Sequence, residues 1–257
     1  MITLLGHGYI GTHIAKTLRS QGILFDWRSH NSKIPSSTTA IINAAGYTGT
    51  PNVDACELQK QSCIEGNVVF PMKLEHLFPY TPIVHVTSGC VYTGYKDGGW
   101  TEDDVPNFNF TNGSFYSASK VLFQQLMANN KKSYLLRIRL PFGDEYNLKN
   151  YLTKLERYET LIDFENSISY INDVAATAIH FARHLPEPGI YNVCNPGTVT
   201  TKQVADMMGL KKKWFTEQEF NEAVIAPRSN CNLSTEKLQN VFPLQSSKDA
   251  LLKAIGT

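Results

Sequence analysis

The sequence predicts an α/β fold, a doubly wound parallel sheet with a small C-terminal lobe. Three observations predict it. Short apolar runs alternate with amphipathic stretches through the first two-thirds of the chain, the rhythm of a parallel sheet covered on both faces. A Gly-x-Gly-x-x-Gly turn, Gly6-His7-Gly8-Tyr9-Ile10-Gly11, joins the first apolar run to the first amphipathic stretch. After about residue 146 the alternation loosens, and Pro141, Pro186, Pro188, Pro196 and Pro227 punctuate the second half.

In chain order, the apolar runs predict strands at Ile2–Leu5, Ile23–Trp27, Ala40–Asn43, Ile83–Thr87 and Tyr134–Arg139. The amphipathic stretches between them predict helices at Thr12–Gln21, Val53–Lys60, Ser62–Leu77 and Phe115–Asn129. Further on, a helix is expected near Leu148–Tyr158, and a Tyr-Ile-Asn-Asp-Val-Ala segment leads into a helix ending at about His184. A short strand, Ile190–Val193, precedes helices near Thr201–Met208, Thr216–Ala223 and Thr235–Val241.

The bulk properties exclude several classes. The chain has 257 residues, with 24 Lys and Arg against 23 Asp and Glu. That balance leaves no electrostatic footprint for nucleic acid; Lys211-Lys212-Lys213 reads as a solvated loop or helix end. Hydrophobic residues make up 42%, as in a globular chain. No apolar run reaches the ~18–20 residues that span a bilayer, and the N-terminus lacks a signal-peptide pattern. Five cysteines (Cys56, Cys63, Cys90, Cys194, Cys231) form no C-x-x-C pair, so neither a metal site nor a disulfide framework is expected. A cytoplasmic protein fits best.

The glycine turn marks a dinucleotide site of Rossmann type. Gly6, Gly8 and Gly11 let the backbone approach a pyrophosphate, and Tyr9 and Ile10 open the helix on which it rests. The second strand ends in Asp26-Trp27-Arg28. Asp26 would accept from a free ribose 2′-hydroxyl and favour NAD(H), whereas Arg28 would pair with a 2′-phosphate and favour NADP(H). The two residues point in opposite directions, and the cofactor stays open at this level.

The catalytic candidates are Ser88, Tyr116 and Lys120. Tyr116 and Lys120 are four apart, on one face of a helix, and Ser88 ends the apolar strand I-V-H-V-T-S. These groups can move a proton on and off a carbonyl oxygen while a nicotinamide exchanges hydride. A neighbouring Lys⁺ is expected to lower the tyrosine pKa from about 10, so that Tyr116 acts as a general acid–base.

At this point the residues resemble an extended short-chain dehydrogenase/reductase over essentially the whole chain. The chain is most similar to the reductase half of plant rhamnose synthases, bifunctional UDP-4-keto-6-deoxy-glucose 3,5-epimerase/4-reductases. The shared runs are N-A-A-G-Y-T-G-T-P-N-V-D-A-C-E (43–57), T-S-G-C-V-Y (87–92), T-E-D-D-V-P-N-F (101–108), G-S-F-Y-S-A-S-K (113–120), L-R-I-R-L-P (136–141) and A-P-R-S-N (226–230). The resemblance implies that Ser88, Tyr116 and Lys120 are catalytic, with Tyr116 and Lys120 also touching the cofactor. It implies that Asn43, Ala44, Ala45 and Gly46 lie along the cofactor and that Pro141 meets its nicotinamide side. On the substrate side it implies Thr48, Ser88, Gly89, Cys90, Asn67, Arg228 and Asn230, with Arg228 as a bidentate clamp on the diphosphate. NADP(H) is favoured, with NAD(H) as the alternative, and no metal is implied.

Two departures stand out. The family's usual turn is G-x-x-G-x-x-G, one residue longer than the turn here. Bacterial rhamnose reductases carry an Asp after the catalytic hydroxyl residue, where this chain has Gly89 followed by Cys90. A thiol suits the inversion of carbons acidified by a neighbouring ketone. The resemblance implies a basic partner for Cys90 on a following helix, which nominates Lys154, with Lys149 as competitor.

The resulting division is a dinucleotide-binding domain over residues 1–146, with 165–195 packing onto it. A sugar-nucleotide lobe comprises 147–164 and 196–257. The expected activity is an NADPH-dependent 3,5-epimerase/4-reductase that makes nucleotide-L-rhamnose from a UDP- or dTDP-linked 4-keto-6-deoxy-glucose. Its alternatives are a reductase without epimerase activity and a non-catalytic NADP-binding subunit. A nucleotide-glucose 4,6-dehydratase would supply the keto-sugar. No nucleic acid or membrane is expected as partner, and a homodimer is compatible with the resemblance.

Overall fold

The computed structural model describes residues 1–256. The chain begins with β1 (Ile2–Leu5), α1 (Tyr9–Ser20), β2 (Phe25–Arg28) and β3 (Ala40–Asn43). It continues through α2 (Ala55–Leu58), α3 (Lys60–Ile64), a π-helical turn (Glu65–Val69), α4 (Phe70–Leu77), β4 (Ile83–Ser88), α5 (Phe115–Leu126) and β5 (Tyr134–Ile138). Then come β6 (Pro141–Phe142), α6 (Tyr151–Arg157), β7 (Thr160–Leu161), β8 (Glu165–Asn166), β9 (Ser169–Tyr170), α7 (Ile171–His184) and β10 (Gly189–Asn192). The last elements are β11 (Val199–Thr200), α8 (Thr201–Met207), β12 (Lys213–Trp214), α9 (Glu217–Ala223), α10 (Glu236–Gln239) and α11 (Ser247–Ile255).

Six parallel strands form one sheet in the order β10-β5-β4-β3-β1-β2. The doubly wound sheet expected from the sequence is therefore present. The order reverses between β1 and β3, so a crevice opens beyond their carboxyl ends, where open α/β sheets hold their ligands. α1 and α7 pack together on one face, and the π turn and α5 lie on the other. The central strands are apolar on both faces because both are covered: Leu4, Ile42, Val84 and Leu136 are buried in one cluster with Ile14, Leu18 and Phe181 from the helices. A second core gathers around Phe142, Tyr151, Leu155, Leu161, Ile168 and Leu251, drawing Phe142 and Ile168 from the segments expected in the dinucleotide-binding domain. Within 196–257, however, Leu238, Val241 and Phe242 pack on the first core, and Lys237 Nζ donates to the Ile190 carbonyl at 3.0 Å.

The structure departs from these expectations at β2, along the stretch from α2 to α4, and at α11. Strand β2 starts later because Gly22, at φ +64°, closes α1 and Ile23 still donates to Leu18 O at 3.0 Å. The stretch expected as helices at Val53–Lys60 and Ser62–Leu77 is broken at Gln59 (φ −117°, ψ 51°) and widened into the π turn. There the Asn67 side chain accepts the Tyr47 N–H at 3.0 Å and donates to the Tyr47 carbonyl at 2.9 Å. A Cβ on Gly66 would stand 2.9 Å from Tyr47 Cβ, so glycine permits that approach. α11 was not expected; it is nine residues long, and its N-terminus is capped by Ser246, which accepts from Asp249 N.

Candidate active site

One cleft of about 1010 Å³ runs along the carboxyl ends of β1, β3, β4 and β5 and continues among α6, β7 and α9. Its nucleotide end is shaped by glycine. Gly6 sits at φ +102°, and a Cβ there would meet Ala45 N at 2.8 Å; one on Gly11 would stand 2.1 Å from Gly6 O. Gly8 differs: a Cβ on it meets nothing within 4 Å, and it is the N-cap of α1. The N-terminus of α1 thus opens on free space at Gly8, where a pyrophosphate would rest. Gly8, Tyr9, Ile10, Ala44, Ala45, Gly46 and Pro141 line the cleft. Gly6, Gly11 and Asn43 shape the turns behind it. Tyr9 Oη and Thr87 Oγ1 are buried beside the cleft with no hydrogen-bond partner among the described residues. These observations fit a bound dinucleotide.

Asp26 and Arg28 do not compete for the ribose. Arg28 Nε donates to Asp26 Oδ2, and the two charges form a pair. Trp27 Nε1 donates to Gly6 O at 2.9 Å, which ties this edge to the glycine turn.

Asn43 is held from below. Its Oδ1 accepts the Ala45 N–H at 3.1 Å, and its Nδ2 meets His85 Nδ1 at 3.1 Å. His85 Nε2 lies 2.9 Å from Glu75 Oε1, and Lys132 Nζ lies 2.6 Å from Glu75 Oε2. Burial pushes His85 below its ordinary value, so the neutral ring donates from Nε2 and accepts at Nδ1. The chain of polar contacts orients the turn along which a cofactor would lie.

Ser88 ends β4, and its Oγ accepts the Cys90 N–H at 3.0 Å. α5 carries Tyr116 and Lys120 into the same cleft, its start capped by Ser114, which accepts from Ser117 N. Lys120 Nζ lies 5.7 Å from the centroid of the Tyr116 ring. Burial pushes Lys120 down to about 8. The expected lowering of Tyr116 is not found: burial pushes the phenol well above its ordinary value, the nearby Cys90 adds to this, and Ser88 only partly offsets it. Burial therefore favours the protonated phenol, which has a proton to give.

Cys90 also departs from expectation. The cation touching its sulfur is Arg139, whose Nη1 donates to Sγ at 3.2 Å. Lys154 lines the same cleft from α6, whose N-cap Asn150 accepts from Leu152 N and donates to Gly143 O at 2.8 Å and Glu145 O at 2.7 Å. Burial pushes Lys154 below its ordinary value, and Lys149 adds to this. Lys149 itself donates to Gly49 O at 2.6 Å, which anchors it to the loop after β3.

Arg228 faces the cleft but its fork is engaged. Nη1 lies 2.7 Å from Asp54 Oδ1 and Nη2 2.8 Å from Asp54 Oδ2. Thr48 and Asn230 line the cleft, whereas Gly89 and Asn67 support it from behind. Arg139 and Asp54 were not singled out from the sequence. The signal available for Arg139 was a pair of arginines, Arg137 and Arg139, alternating with apolar residues at a strand end, in L-R-I-R-L-P.

Residues 6–255 match the model of the RmlD substrate binding domain family. A bifunctional dTDP-4-dehydrorhamnose 3,5-epimerase/dTDP-4-dehydrorhamnose reductase of Arabidopsis thaliana is 34% identical, over 96% of this chain and 89% of that protein. A trifunctional UDP-glucose 4,6-dehydratase/UDP-4-keto-6-deoxy-D-glucose 3,5-epimerase/UDP-4-keto-L-rhamnose-reductase of the same plant is 31% identical; the match takes in 96% of this chain but only 40% of that relative. The crystal structure of the L780 UDP-rhamnose synthase of Acanthamoeba polyphaga mimivirus superposes with a TM-score of 0.90 at 23% identity, covering 99% of this chain and 98% of that one, a likeness of fold. No helix among the described residues is long and apolar enough to cross a membrane.

Proposed function

The chain belongs to the RmlD substrate binding domain family, and from that premise we propose that it is an NADPH-dependent 3,5-epimerase/4-reductase forming nucleotide-L-rhamnose from a nucleotide-linked 4-keto-6-deoxy-glucose. The observation that carries this reading is the company of Ser88. Within one cleft it stands beside both a reductase pair, Tyr116 and Lys120, and a thiol, Cys90, with the ammonium of Lys154 in the same wall.

In this reading the residues act in two stages. Cys90 takes the proton from carbon 3 or 5, which the ketone acidifies, and Lys154 returns one from the opposite face. Ser88 and Tyr116 hold the keto oxygen by hydrogen bonds. A bound reduced nicotinamide would supply hydride to carbon 4. Tyr116, protonated by virtue of its burial, gives its proton to the oxygen as the alcohol forms. Lys120 stabilises the resulting phenolate while it is cationic, below about pH 8.

The open cradle at Gly8 supports a dinucleotide, and the pairing of Asp26 with Arg28 supports NADP(H) over NAD(H). Asp26 is engaged, while the Arg28 Nη groups have no partner among the described residues. The aromatic end of the cleft, where Phe164 and Phe215 approach Phe220 at 5.8 and 6.1 Å between centroids, would take the base of the nucleotide. A separate 4,6-dehydratase activity would supply the keto-sugar, and a homodimer is compatible with the family resemblance. The test offers UDP- and dTDP-linked 4-keto-6-deoxy-glucose side by side with NADPH. The expected product is nucleotide-L-rhamnose, by nuclear magnetic resonance; NADPH oxidation with neither sugar would contradict the reading.

A further inference from the structure

Arg139 is 1% exposed, at the end of β5. Four of its five donors have acceptors. Nη1 donates to Cys90 Sγ at 3.2 Å and Ser229 Oγ at 2.6 Å. Nη2 donates to Asn166 Oδ1 and to the Ser229 carbonyl, the latter at 3.0 Å. Nε has no partner among the described residues. None of these acceptors is a carboxylate. A guanidinium keeps its proton, so this is a permanent charge buried without a counter-ion in its contacts, an arrangement that costs stability unless an anion is supplied.

Only one contacting group can supply that anion. Ser229 and Asn166 do not ionise, whereas a free thiol titrates near about 8.5. Cys194 and Cys231 lie nearby, but burial pushes both thiols up, Cys194 to about 12. Cys90 is the one cysteine of the five that is not buried. A second observation ties it to Arg139. A Cβ on Gly89 would stand 3.0 Å from Arg139 Cγ, 3.1 Å from its Cδ and 2.6 Å from Leu233 Cδ1. The glycine between Ser88 and Cys90 therefore leaves the passage through which the arginine reaches the sulfur.

We propose that Arg139 is a positioning residue for epimerisation: its guanidinium is the resident counter-ion that keeps Cys90 a thiolate in the free enzyme. The role is distinct from that of Lys154. An ammonium that gives its proton to substrate loses its charge at that moment and would release the thiolate. Arginine cannot, so Arg139 holds the base ionised while Lys154 remains free to act as the acid. The inference rests on the epimerase reading for its meaning, but its test needs no substrate.

Other charged and titratable groups face Cys90. Tyr116 and Lys120 approach from α5, Lys154 from α6, and Cys231 from the segment after Arg228. The test therefore compares them. Free enzyme is alkylated with iodoacetamide across pH, and modification is located at Cys90 by mass spectrometry. The wild type should react with a midpoint at least one unit below the ordinary ~8.5. Lys154→Met and Lys120→Met should leave that midpoint within a few tenths of a unit. Arg139→Gln should raise it by a unit or more, slowing reaction at pH 6.5 by about tenfold, and Arg139→Lys should restore part of the shift. A wild-type midpoint at or above the ordinary value overturns the proposal, as does a midpoint that follows Lys154 or Lys120 instead. If neither Arg139 variant folds, the wild type and the two lysine variants still decide it. A low midpoint set by Arg139 in an enzyme that makes no rhamnose product would reject the epimerase reading and leave this one standing.

Discussion

Arg228 and Asp54, 174 residues apart in sequence, face each other through two parallel hydrogen bonds of 2.7 and 2.8 Å. The pair joins the loop after β3 to the loop before Cys231, and both residues line the cleft. Arg228, expected from the sequence as a diphosphate clamp, thus has its fork occupied by a carboxylate. A diphosphate of higher charge, if Arg228 clamps it as the resemblance implies, would have to share the fork or displace Asp54.

Arg228→Ala should therefore raise KM for the nucleotide sugar by roughly ten- to a hundredfold with kcat reduced much less, as expected for uniform binding energy. Arg228→Lys should recover little, because a point charge does not replace a planar fork. Steady-state kinetics with varied sugar nucleotide checks both.

Tyr116→Phe removes the acid that gives its proton to the new alcohol oxygen in the proposed mechanism. Reduction should slow by about 10²–10⁴-fold, the usual worth of a positioned acid. Exchange of the C3 and C5 protons should survive in the variant, since Cys90 and Lys154 are intact. NADPH oxidation and solvent exchange, followed in parallel, separate the two.

Gly8→Ala and Gly11→Ala make a contrasting pair. A Cβ at residue 8 meets nothing within 4 Å, so the fold should keep its stability to within about 0.5–1 kcal/mol while NADPH binding weakens as the cradle narrows. A Cβ at residue 11 would stand 2.1 Å from Gly6 O, and that variant should lose about 2–4 kcal/mol. Thermal unfolding with and without NADPH distinguishes them.

Glu75 should govern part of the acid stability. Burial alone would raise its carboxyl, but hydrogen bonds from His85, Lys132 and Ser133 hold it at about 2. In the unfolded chain it titrates near about 4.3. A folded value below the unfolded one gives stabilisation that is complete above about pH 5 and lost as pH falls towards 2. Glu75→Gln should flatten the stability profile across that window and cost on the order of 3 kcal/mol at neutral pH. Denaturant unfolding from pH 7 to pH 2 measures it.

What could be read from the sequence was what short-range geometry encodes. The strands β1 and β3 fall where their apolar runs predict, and Tyr116 and Lys120 share a helix face because four residues make about one turn. Contacts between distant segments were not legible. The π turn depends on Asn67 reaching the Tyr47 backbone 20 residues earlier, and nothing in the helical periodicity of Ser62–Leu77 encodes that meeting. Arg139 lies 49 residues from Cys90, so the cation that touches the sulfur could not be chosen by spacing, and Lys154 was nominated in its place. The same holds for the Tyr116 phenol: Lys120 is visible in the sequence, but the burial that raises the phenol is a property of the packed cleft.

The central claim is that one cleft performs both epimerisation and reduction. It is tested most directly by incubating the enzyme with UDP-4-keto-6-deoxy-glucose and NADPH in D₂O and locating deuterium in the product. The account predicts rhamnose carrying deuterium at C3 and C5, and loss of that label and of the rhamnose product in Cys90→Ala. A reduced sugar with no deuterium at either carbon, or full labelling by Cys90→Ala, would contradict it.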